Sequence, residues 1–136
     1  MRLIRYLLVL LVLYASVVVA FESLIGYVQP QQEGRTIVLT TYDEDANAHE
    51  RVVTLLTSQE KWYVGVNHWP RAWWRRTLEN PNVLVTKDGV TEPYTATTVE
   101  GAEHDQVAAD NPMPIHMRAL MGFPPRYFVR LDPQTE

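Results

Sequence analysis

The chain reads as mainly β with short helices: a small antiparallel barrel of about six strands preceded by an N-terminal hydrophobic helix. Three observations predict this. Six stretches rich in β-branched and aromatic residues recur along the 136 residues, separated by turn-forming pairs or short polar segments. Only brief segments between them carry a helical pattern, which favours a closed sheet over an α/β layer arrangement. Ahead of all of them, Tyr6 to Phe21 runs without a charge or a strong helix breaker.

That run is sixteen residues long, near the roughly 20 that a spanning helix needs. Arg2 and Arg5 precede it, and Val18 and Ala20 also meet the small-residue condition before a signal cleavage site. Residues 1–25 are therefore expected to be a membrane anchor, or else a cleaved signal segment. No basic run follows, so Arg2 and Arg5 are expected to stay cytoplasmic and the globular part to lie outside the membrane. Residues 26–35, with Gly26, Pro30 and Gly34, read as a linker, leaving 36–136 as one barrel domain.

Strands are expected at Thr36 to Tyr42, Glu50 to Ser58 and Lys61 to Asn67. The acidic turn "DEDANAH" joins the first pair, and Gln59 with Glu60 the second. Pro70 suits the first turn of a helix, which should run to about Glu79 before Asn80-Pro81 stops it. Two strands then flank Asp88-Gly89, a strong hairpin signal. Short helices are expected in "GAEHDQVAADNP" and "PIHMRALMGF", and a last strand from Arg126 to Pro133. Met113, Met117 and Met121, four apart, read as a core face or as a flexible cover over a pocket, with Arg118 and Arg126 nearby in sequence.

Net charge is −4, and about −6 without Arg2 and Arg5, which argues against a nucleic-acid-binding face. The absence of cysteine excludes disulfides, thiol catalysis and thiolate metal sites. His49, His68, His104 and His116 lack metal-ligand spacing, so no metal site is expected. No nucleophile-elbow, P-loop or dinucleotide fingerprint is present, and the acidic turn fails the calcium-loop pattern.

The segment "NHWPRAWWRRTLENPNVLV" concentrates three tryptophans, three arginines and a histidine within ten positions. A helix N-terminus favours an anion, arginine adds planar paired donors, and indole rings offer stacking surface. That is the chemistry of a site for an anionic aromatic ligand. The same residues also read as a core plug, with Trp69, Trp73 and Trp74 closing the barrel. His68 is a candidate hydrogen-bond partner or proton donor for a ring.

Pro70, Ala72, Trp73, Trp74, Leu78, Asn80, Pro81 and Val83, set among these strands, resemble the deazaflavin-dependent nitroreductase family of flavin-reductase-like split β-barrels. The resemblance spans roughly Gly34 to Pro133. It implies a split β-barrel whose third strand end, turn and helix N-terminus line a deazaflavin or FMN. The cofactor-binding residues would then be Asn67, His68, Trp69, Arg71, Trp74 and Arg75. It implies hydride transfer to a quinone-like or nitroaromatic acceptor, and a homodimer. Two positions depart from the family: Thr77 stands where asparagine is common, and Asp43, Glu44 and Asp45 replace a Gly-, Arg- or Lys-rich phosphate-holding turn. A non-catalytic module for a small ligand or a partner in the cell envelope is the rival reading.

Overall fold

A computed structural model describes residues 1–27, 35–66 and 71–135, with Gly26 and Tyr27 by backbone alone. Ten elements follow in order: α1 (Arg2–Tyr27), β1 (Thr36–Tyr42), β2 (Ala48–Ser58), β3 (Lys61–Val66), α2 (Ala72–Glu79), β4 (Asn82–Lys87), β5 (Val90–Thr98), α3 (Gly101–Asp110), α4 (Ile115–Leu120) and β6 (Tyr127–Pro133). The six strands close into an antiparallel barrel in the order β1-β2-β3-β6-β5-β4. Backbone contacts divide the chain into two units: Gln29–Pro112 with Pro125–Glu136, which holds the barrel, and Met1–Val28 with Met113–Pro124, which holds α1 and α4.

Alternation along the strands builds two clusters on opposite faces of the barrel wall. Val64 and Val66 on β3 and Val129 and Leu131 on β6 join the interior with Ile37, Leu39, Val83 and Val85. Their neighbours Tyr63 and Phe128 point outward, where Val99 and Val107 pack on them. Arg130 fastens α3 to this outer face, donating from Nη1 to both oxygens of Glu103 at 2.8 Å and from Nε to Asp132 at 2.7 Å. The Tyr63 hydroxyl donates to Glu103 at 2.8 Å. Burial, and then that carboxylate, push the Tyr63 phenol up to about 12.

Turn chemistry sets the register. Gln59 and Glu60 take φ of 47° and 63°, and Asp88 and Gly89 take 52° and 80°. Two consecutive left-handed residues match the right-handed twist of the strands they join. The β1–β2 turn is held otherwise. Asp43 accepts from the backbone N–H of Asp45 and Asn47 at 3.1 and 2.9 Å, and its second oxygen lies 2.7 Å from His49 Nε2. With the turn so tied, β2 begins at Ala48, two residues earlier than the sequence suggests, and Thr41 pairs with His49.

The helix α2 begins at Ala72, with Arg71 in extended conformation at its N-cap, φ −99° and ψ 161°. Pro70, the expected start, lies outside the described residues, as do Asn67 at the expected end of β3 and most of the linker. Trp73, 5% exposed, belongs to the interior cluster, whereas Leu78 on the same helix is 52% exposed.

Two outcomes follow. Trp73→Ala should lower unfolding stability by about 3 to 5 kcal/mol, while Leu78→Ala should stay within about 0.5 kcal/mol of the parent; denaturant titration of both variants checks this. The second concerns acid. The hydrogen bond to His49 first, then the Asn47 N–H, lower the Asp43 carboxyl from 3.8 to about 2. A depressed carboxyl stabilises the fold above its unfolded pKa and loses that contribution as pH falls through its folded one. Asp43→Asn should thus be the less stable protein at pH near 5, and the gap should close between about pH 4 and 2 in thermal melts.

Candidate anion-binding cleft

Directly opposed residues on antiparallel strands share a face, so the pairs Ile37↔Val53, Leu39↔Arg51 and Thr41↔His49 form one column along the inside of β1 and β2. The column starts apolar and turns polar at its end. Thr41 is fully buried there, and its hydroxyl accepts from Arg76 Nε at 2.8 Å. That bond reaches across from α2 and fixes the Arg76 side chain against the barrel rim.

Between the start of β2 and the first turns of α2 lies a cleft of about 450 Å³. His49, Glu50, Arg51, Arg71, Trp73 and Arg76 line it, together with Ala48 and Ala72. Three guanidiniums face one carboxylate, so the cleft is positive within an otherwise acidic chain. Burial pushes the Arg51 guanidinium below its ordinary pKa, and the neighbouring charge of Arg71 lowers it further. Among the described residues Arg51 makes no hydrogen bond or ion pair by its side chain, and Arg76 makes none beyond that from Nε to Thr41. Like charges gathered and partly dehydrated raise the free energy of the empty cleft, and a bound anion would lower it.

The six residues nominated from sequence separate in space. Arg71 lines the cleft. Trp74 stacks on Tyr127, with ring centroids 4.9 Å apart and planes at 16°, and its indole nitrogen is buried without a hydrogen-bond partner among the described residues. Arg75 is exposed and stands outside the lining. Asn67, His68 and Trp69 lie outside the described residues.

Other charged residues are committed elsewhere. His104 Nε2 lies 2.8 Å from the Arg126 carbonyl oxygen, while the Arg126 side chain donates to the Asn111 carbonyl and lies over Phe128. Among the described residues no three His, Asp or Glu side chains converge as a metal site.

His49, Arg51 and Arg76 were not nominated as binding residues from sequence, although Arg76 belongs to the cluster of three arginines. A signal for two of them existed. Stepping back by twos from Leu55 and Val53 predicts apolar residues at 51 and 49, yet arginine and histidine stand there. Arg76 carries no such mark, because its role depends on Thr41, 35 residues away.

No family model matches the chain, and no curated protein does either. Solved structures do. HutZ, described as a heme storage protein from Vibrio cholerae, superposes with a TM-score of 0.59 at 21% identity over 77% of this chain and 85% of its own. A structure described as an F420-H2 dependent reductase gives 0.57 at 15% identity over 71% of this chain and 93% of its own. PhzG from Burkholderia lata, solved with tetrahydrophenazine-1-carboxylic acid, gives 0.56 at 16% identity over 73% and 66%. The chain therefore has the split β-barrel fold shared by these proteins.

Proposed function

We propose that the barrel holds a flavin or deazaflavin whose charged tail enters the arginine cleft, and that it serves as an oxidoreductase. The observation that carries this reading is the cleft itself: Arg51, Arg71 and Arg76 converge where the barrel's inner face turns polar. The donor set fits a compact anion such as a phosphate, since guanidinium presents paired donors matched to its oxygens. The buried indole N–H of Trp74, without an acceptor among the described residues, fits a ring carbonyl as its partner. When bound, such a ring supplies hydride chemistry toward a quinone-like or nitroaromatic acceptor, and the protein's share is binding, orientation and electrostatics.

The acidic turn does not oppose this reading. Asp43 is engaged by two backbone N–H groups and His49, so its carboxylate is already compensated. Asn67, His68 and Trp69 stand just ahead of Pro70 and Arg71 in sequence and complete the proposed cofactor set with Arg71 and Trp74.

The chain is read further as tethered to a membrane. α1 is long and apolar enough to cross one, or to serve as a signal sequence, and none of its apolar window is buried. We read it as a tether that places the barrel outside the cytoplasm, beside lipid-soluble acceptors. A related fold solved as a domain-swapped dimer, with a TM-score of 0.59 at 15% identity, makes a second copy of this chain the expected partner. The rival reading, a module that holds a ligand without converting it, draws on the neighbour described as a heme storage protein.

Titrating the full chain in detergent with FMN and with a deazaflavin, while following tryptophan fluorescence, tests the assignment. Arg51→Ala and Arg71→Ala should each weaken binding roughly tenfold to a hundredfold, as loss of a charged hydrogen bond does. Arg75→Ala, outside the lining, should change it by less than about twofold, as a general loss of one exposed charge would. Equal losses at all three positions would reject the cleft as the site. Binding without turnover of a quinone by the reduced protein would favour the storage-type module.

A further inference from the structure

Resting on the reading of α1 as a membrane tether, we infer that the segment Met113–Pro124 is a second membrane contact, lying in the lipid interface against α1. It packs on that helix closely. The Tyr14 hydroxyl donates to the Ala119 carbonyl oxygen at 2.7 Å, and a Cβ added to Gly122 would meet Val18 Cγ1 at 2.8 Å. With φ of +73° as well, only glycine fits position 122. The contact therefore holds α4 beside the outer half of the apolar helix.

Depth follows from the sequence of α1. Glu22 is the first charge after the apolar run, and Val18 stands four residues before it, about 6 Å deeper at roughly 1.5 Å per residue. Interfacial helices sit about 5 to 10 Å into the boundary between headgroups and acyl chains. Gly122, just past the end of α4, lies at that depth, and Ala119 of α4, bonded to Tyr14 eight residues before Glu22, lies about 12 Å deep. The Ala119 carbonyl accepts from the Tyr14 hydroxyl as well as from the backbone N–H of Gly122.

The surface has the chemistry of an interface. Ile115 is 67% exposed and Phe123 50% exposed. Phe123 adopts φ of 52°, a left-handed conformation that a bulky residue rarely takes. Arg118 lies 5.8 Å from the Phe123 ring centroid, and its side chain makes no ion pair or hydrogen bond among the described residues. An aromatic ring with an arginine beside it, on an apolar segment, matches the acyl boundary and the anionic phosphates above it.

The chain has no cysteine, so single labels are clean. The full chain is reconstituted in liposomes of phosphatidylcholine and phosphatidylglycerol with one spin label at Val9→Cys, Val90→Cys, Ile115→Cys or Phe123→Cys. Collision with oxygen is compared with collision with a water-soluble nickel chelate. The labels at 115 and 123 should report a depth between lipid-buried position 9 and water-exposed position 90. If both match position 90 while position 9 is buried, the tether stands and the second contact is wrong. If position 9 also behaves as water-exposed, the tether reading fails and takes this inference with it.

Discussion

Closure of one barrel end by α2 is the constraint on which the rest depends. Trp73 is driven into the interior by the area it removes from water. The Arg76–Thr41 bond then fixes how far the helix rotates. With those two anchors set, the arginine at the N-cap and the arginine on β2 come to the same rim, one from a helix and one from a strand. A helix anchored by tryptophan alone would have no reason to bring these charges together.

The cost of that arrangement is electrostatic. Guanidiniums cannot relieve crowding by losing a proton under ordinary conditions, and burial, then the neighbouring charge of Arg71, disfavours the charged form of Arg51. The outer face of the barrel shows the contrasting solution, where Arg130 is enclosed by Glu103 and Asp132 and its proton is held more tightly than usual. One cluster is saturated by its own carboxylates, and both of those are held below the ordinary carboxylate range. The other leaves guanidinium donors on Arg51 and Arg76 without partners among the described residues. That difference separates the structural clasp on which α3 rests from the cleft proposed to take a ligand.

Much of the barrel was legible in the sequence because its signals are local. Runs of β-branched and aromatic residues marked the six strands, and the Asp88-Gly89 turn marked its hairpin directly. Boundaries moved where side chains outside the strand pattern intervened: Asp43 bonds the following N–H groups and starts β2 at Ala48. Arg71 was legible as a cleft residue because helix N-termini have a recognisable chemistry. Arg51 and His49 were not, since their meaning arises only when the register places them beside Leu39 and Thr41 on an inner face. The grouping of Met113–Pro124 with α1 was equally out of reach, because it rests on contacts across about a hundred residues such as Tyr14 to Ala119.

The central claim is that the cleft recognises the anionic tail of a flat cofactor. The most direct measurement is calorimetric titration of the full chain in detergent with FMN and with riboflavin, which share a ring and differ in the phosphate. FMN should bind at least about tenfold more tightly, the worth of one charged hydrogen bond, with the difference shrinking as salt is raised. Equal affinities, or a difference indifferent to salt, would contradict the claim and return the arginines to a purely structural role.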